Sequence, residues 1–107
     1  MSTRGRRGGG RKSASSKTPV LFRMHRGEVV ALFPTEPGTN QSHTCLSYAH
    51  MGQHGSADLH GVIASSRPAT RVERAPLIEE LHQIGYNLVI KKRASSTMDE
   101  ARKRALR

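Results

Sequence analysis

The residues most able to do chemistry in this chain lie between His43 and Gly61, HTCLSYAHMGQHGSADLHG, a stretch holding the single cysteine, one of two tyrosines and four of six histidines. His50 and His54 are four residues apart, a spacing that brings two imidazoles together on a helix for zinc, with Cys45, Asp58 or His60 as further ligands. Gly52 and Gly55 oppose a helix at that point, and neither a paired-cysteine knuckle nor the helical His-Glu zinc motif is present. A second chemistry would use Cys45 as a nucleophile with a histidine base, provided the fold brings the two within hydrogen-bond reach. Plainer roles exist for the same residues. A free cysteine in an apolar strand packs as a small hydrophobe, and histidines in a glycine-rich loop hydrogen-bond backbone carbonyls. Tyr48 serves as a core anchor, and Gln53 and Asp58 cap turns or helix ends. Between these stands a surface that binds a small ligand or a protein partner, since loops on a rigid scaffold are where binding sites concentrate. The candidate ligand or partner site is therefore Cys45, Tyr48, His50, Gln53, His54, Asp58 and His60.

Those residues must be positioned by the flanks. PVLFRMHRGEVVALFP holds two β-branched and aromatic runs around Arg26-Gly27, which predicts a hairpin. With a two-residue loop His25 faces Glu28, Met24 faces Val29, Phe22 faces Ala31 and Val20 faces Phe33. One face is then wholly apolar (Val20, Phe22, Met24, Val29, Ala31, Phe33), and the other is mixed. TCLSYA predicts a third strand with Cys45 and Tyr48 on opposite faces. The stretch 57–66 fits either a short helix or a strand. Thr70 and Glu73 have the spacing of a capping box, Leu77, Ile78, Leu81 and Ile84 form an apolar helical stripe, and Gly85 closes it. Pro76 predicts that this helix either kinks or begins there. YNLVIKK reads as a strand, and Thr97 with Glu100 opens a short basic helix over 98–106 that is marginal in isolation.

The chain has 107 residues and a formal charge of +10, unevenly spread. Residues 1–18 carry Arg4, Arg6, Arg7, Arg11, Lys12 and Lys17 with no acid, residues 19–93 eight basic and six acidic residues, and residues 94–107 four and two. The first segment has too little apolar surface to offset the entropy of ordering, so it is expected to be a disordered tail. Its composition resembles that of an organelle transit peptide, but the amphipathic apolar residues of one are missing. The tail offers phosphate contacts without base readout, and the near-balanced middle is expected to add little. No apolar run suits a signal peptide or a membrane span, which points to a cytoplasmic protein without membrane contact. One cysteine excludes an internal disulfide.

The motifs GEVVALFP, TCLSYAHMGQHGSAD, RPAT and IGYNLVIKK together resemble a family of small, functionally uncharacterised proteins encoded in bacterial and phage genomes. The resemblance covers roughly residues 20–93. It implies a compact domain of microbial or mobile lineage and carries no activity, substrate or cofactor. The expected fold is α+β, a small antiparallel sheet of three to four strands led by the hairpin and packed by one main helix. Three organisational parts follow: a tail (1–18), a single domain (19–93) and a basic C-terminal extension (94–107). Three functions remain open: a non-enzymatic accessory or binding protein contacting nucleic acid through its tail, a metal-dependent or Cys/His enzyme using His43–Gly61, and a structural or protein-interaction module.

Overall fold

The hairpin sets the frame. In the computed structural model, which describes residues 17–49 and 53–106, β1 (Thr18–His25) and β2 (Glu28–Pro37) are joined by Arg26 at φ 53° and Gly27 at φ 84°. Two successive left-handed residues give the tight turn whose twist matches the strands. Glycine adopts that conformation freely, whereas Arg26 does so against its own Cβ. The register is the expected one, with Phe22 opposite Ala31, Met24 opposite Val29 and His25 opposite Glu28.

The sheet that grows from it is larger than expected. Its order is β4-β3-β2-β1-β5, built with β3 (Thr44–Ala49), β4 (Gln53–Asp58) and β5 (Arg67–Pro68). A sixth strand, β6 (Leu88–Ile90), joins β1 in parallel, Thr18 pairing with Leu88 and Val20 with Ile90. Six strands and three helices replace the three to four strands and one main helix of the sequence expectation. The reason lies in strand pairing: QHGSAD has no β-branched residue and no Phe, Tyr or Trp, and it is extended because β3 offers it an edge, pairing Thr44 with Asp58 through Ala49 with Gln53. The ambiguous stretch 57–66 is both things in turn, since Ala57 and Asp58 end β4 and α1 (Leu59–Ala64) follows, capped by the Asp58 carboxylate accepting from Gly61 N–H.

Both faces of the sheet are covered. On one, Val20, Phe22, Ala31, Phe33 and Tyr48 pack against Ala69 and against Leu77 and Leu81 of α2 (Arg71–Ile84). On the other, Leu21, Leu32 and Cys45 pack against Leu59 of α1, flanked by Val62 and Ile63. The mixed face of the hairpin is thus a second small core. Helix α2 begins at Thr70 with both halves of the capping box formed, and it runs through Pro76 without ending. The carbonyl that Pro76 leaves without its helical donor belongs to Val72, a residue 83% exposed, so water can satisfy it.

The third helix, α3 (Ser96–Ala105), lies along β2 where that strand is irregular. The pairing slips between Phe33 opposite Leu46 and Pro37 opposite Cys45, a bulge that two prolines favour because neither donates to the ladder. Arg102 reaches into this region, donating from Nη1 to the Pro34 carbonyl at 2.7 Å and from Nε to the Ser42 carbonyl at 3.0 Å. Gly38 is required at the same place, because a Cβ there would stand 2.3 Å from the Cys45 carbonyl oxygen. No helix of the described residues is long and apolar enough to cross a membrane.

Candidate functional site

The structure distributes the residues of His43–Gly61 over several environments. Cys45 is fully buried on the α1 face. Burial pushes its thiol up to about 11, against the opposing charge of Arg102, so almost none is thiolate near neutral pH. Tyr48 points to the other face, as does His54, its cross-strand partner. Cys45 and His54 are therefore separated by the sheet. His60 is exposed and meets Asp99 of α3 at 3.1 Å. Burial raises the Asp99 carboxyl, but hydrogen bonds from His60 and Arg102 outweigh it and leave the group below its ordinary value. Asp58 caps α1, and Gln53 pairs with Ala49 through its backbone. His50 lies outside the described residues. Among those described, no three His, Cys, Asp or Glu side chains are grouped to hold a metal ion.

What does converge on the α2 face is a network of rings and carboxylates. Tyr48 donates its hydroxyl to Glu80 of α2. His54 sits edge-on to Tyr48 at 4.7 Å, and its Nε2 lies 2.9 Å from the Tyr86 hydroxyl. Tyr86 in turn stacks on Phe33 at 4.9 Å. Burial and then the charge of Glu36 raise the Tyr86 phenol, which stays protonated. These contacts tie the β3-β4 hairpin to α2 and to the chain entering β6. Glu80 and Tyr86 carry no sequence motif linking them to Tyr48 and His54, so only the packing of α2 across the sheet reveals the pairing.

A second convergence went unsignalled in the sequence. Strand β1 changes partner along one edge, from β6 at Thr18–Val20 to β5 at Arg23–Met24. Lys91 N–H closes the first pairing on the Val20 carbonyl, and Ala69 N–H closes the second on that of Phe22. Between them a notch opens into a cavity of about 190 Å³, lined by Leu21, Phe22, Pro68 and Ala69 and by four cations, Arg23, Arg74, Lys91 and Lys92. Among the described residues, no acidic one lines it.

The two arginines are held differently. Arg23 is 8% exposed and spends Nε on Ser66 Oγ and Nη2 on the carbonyls of Ile63 and Ser66. All three acceptors are neutral, so its charge is positioned without being compensated. Burial pulls the Arg23 guanidinium below its ordinary value, the expected sign for a cation in a low dielectric. Arg74, in the first turns of α2, has a buried Nε without a hydrogen-bond partner, a state that costs about 1–3 kcal/mol or more for a charged donor. The nearby acid, Glu73, is already engaged: Arg67 clasps it with two bonds of 2.8 and 2.7 Å, and Thr70 N–H adds a third. This clasp, led by the Arg67 hydrogen bonds, holds the Glu73 carboxyl down to about 2.

Lys17 is exposed immediately before β1, one strand from β6, so the basic tail joins the body on the edge that carries the notch. Arg4, Arg6, Arg7, Arg11 and Lys12 lie outside the described residues. At the far end Arg102 is only 2% exposed and bound to two carbonyls and Asp99. It belongs to the core and is withheld from any partner. No family model matches the chain, and no match is found among curated proteins or solved structures.

Proposed function

We propose that this is a non-enzymatic accessory protein that binds nucleic acid through phosphate contacts, shared between its basic tail and the cationic notch on the β5-β1-β6 edge. The observation that carries the reading is the acid-free cluster of Arg23, Arg74, Lys91 and Lys92 around one cavity. Cations at a protein surface normally sit among acids, and four gathered without one create a local positive field that attracts polyanions and repels other cations. Phosphate contacts position a protein on a duplex without reading sequence. Base recognition is not supported by the notch, because its only aromatic, Phe22, is 4% exposed and part of the core. The protein should bind unrelated duplexes equally.

The test is fluorescence anisotropy on two unrelated DNA duplexes, with the full chain and with a chain that starts at Lys17. Equal affinity for both sequences, a steep fall between low and physiological salt, and weaker binding without the tail are expected. Affinity indifferent to salt would end the proposal, and strong preference for one duplex would require a recognition element outside the notch.

A further inference from the structure

We propose that the notch between β5 and β6 is a site for a phosphate monoester dianion, either the terminal phosphate of a nucleic-acid strand or a free phosphate. The inference deepens the nucleic-acid reading and rests on three observations. The first is size. A cavity of about 190 Å³ falls below the roughly 300–1,000 Å³ of pockets that enclose whole organic ligands, so it suits a phosphoryl group with its first carbons better than a whole nucleotide.

The second is charge. A backbone phosphodiester brings one negative charge, whereas a terminal phosphate carries about two near neutral pH. Four lining cations with no lining carboxylate match the second better.

The third is hydrogen bonding. The buried Nε of Arg74 has no partner, and Arg23 commits only Nε and Nη2 to its neutral acceptors. Buried donors without acceptors are uncommon and are usually met by a water or an ion. A phosphoryl group offers several oxygens to a planar guanidinium fork, the geometry for which arginine is suited. Lys91 and Lys92, both exposed, complete the cluster as point charges at the mouth. The scaffold is fixed before any ligand arrives, because Ser66 and Ile63 hold Arg23 and the capping box holds the first turn that bears Arg74.

The experiment compares a short thymidine oligonucleotide bearing a 5′-phosphate with its 5′-hydroxyl twin, using the full chain at physiological salt, and titrates inorganic phosphate alone by calorimetry. The phosphorylated strand should bind about tenfold tighter, the least expected of hydrogen bonds between charged groups. Arg74→Gln should erase that difference, and so should Lys91→Gln with Lys92→Gln, which changes only exposed positions and keeps the test valid if the helix variant misfolds. Inorganic phosphate should compete for the extra affinity. Equal binding of the two strands with no heat from phosphate would overturn the site while leaving the nucleic-acid reading intact. Phosphate binding with neither strand retained would support the site, identify free phosphate as the ligand and overturn that reading. Preference for the phosphorylated strand that survives in both folded variants would place the contact elsewhere and overturn the inference.

Discussion

Arg102→Ala should be among the most damaging single substitutions in the described part of the chain, although a basic residue near the end of a polar helix would ordinarily be mutated without consequence. The side chain is 2% exposed, donates to the Pro34 and Ser42 carbonyls and holds Asp99 at 3.0 Å. Truncation removes the cation and strands two carbonyls beside the β2 bulge, each worth about 1–3 kcal/mol if left dry. Asp99 is cushioned, because its side chain is 23% exposed and keeps His60 as a partner. The net loss should be about 3–5 kcal/mol, the usual range for breaking a buried charge network. Against a total stability of about 5–15 kcal/mol for a domain of this kind, that is roughly a fifth of the whole or more. At roughly 4–8 °C per kcal/mol, Tm should fall by at least about 12 °C in thermal melts followed by circular dichroism. Arg102→Lys should recover part of the loss, since one ammonium replaces the charge without spanning both carbonyls. A variant Arg102→Ala that melts within about 1 kcal/mol of the parent in urea titrations would show that α3 is not anchored through this residue and refute the argument.

The Glu73 carboxyl lies near 2, below its unfolded value, so its clasp with Arg67 adds stability above the ordinary carboxylate range and loses it as pH falls toward about 2. Melts across acid pH should show that loss reduced in Glu73→Gln, and identical acid profiles would contradict the assignment. Cys45, with its thiol near 11 and no exposure, should resist thiol reagents near neutral pH in the folded chain and react on unfolding. Rapid modification of folded protein would mean that the α1 face opens readily. Phe22→Ala removes a ring that is 4% exposed in the main core and should cost about 3–5 kcal/mol, a loss that calorimetric unfolding would register as a large drop in Tm; a melt unchanged from the parent would show the core tolerating the gap.

The parts of the fold legible in the sequence are those where one physical signal acts locally. Arg26-Gly27 between two apolar runs fixes a hairpin register, and Thr70 with Glu73 fixes a helix start, because turn and cap chemistry act within a few residues. β4 and β5 were illegible for the opposite reason: Gln53–Asp58 and Arg67–Pro68 are extended only because β3 and β1 present edges to them. Arg102 shows the same limit, since nothing around it in the sequence announces a carbonyl-lined hole in β2. For the candidate site, the alternation of β3 correctly separates Cys45 from Tyr48. The four cations of the notch come from three places in the chain, and counting charge along the sequence hides them, because residues 19–93 are nearly balanced in sum while Glu73 is spent on Arg67. Charge segregation is a property of the folded surface.

If the protein binds nucleic acid as proposed, the folded body, and not the tail alone, contributes phosphate contacts. The salt dependence of duplex DNA affinity measures this most directly. Each phosphate contact contributes about −0.9 to the slope of log affinity against log salt, so the six tail cations acting alone could give at most about −5. The expected slope is steeper for the full chain, shallower for Lys91→Gln with Lys92→Gln, and still negative for the chain starting at Lys17. A slope unchanged by the lysine substitutions, together with no salt-dependent binding once residues 1–16 are removed, would contradict it and leave the notch without a role in binding.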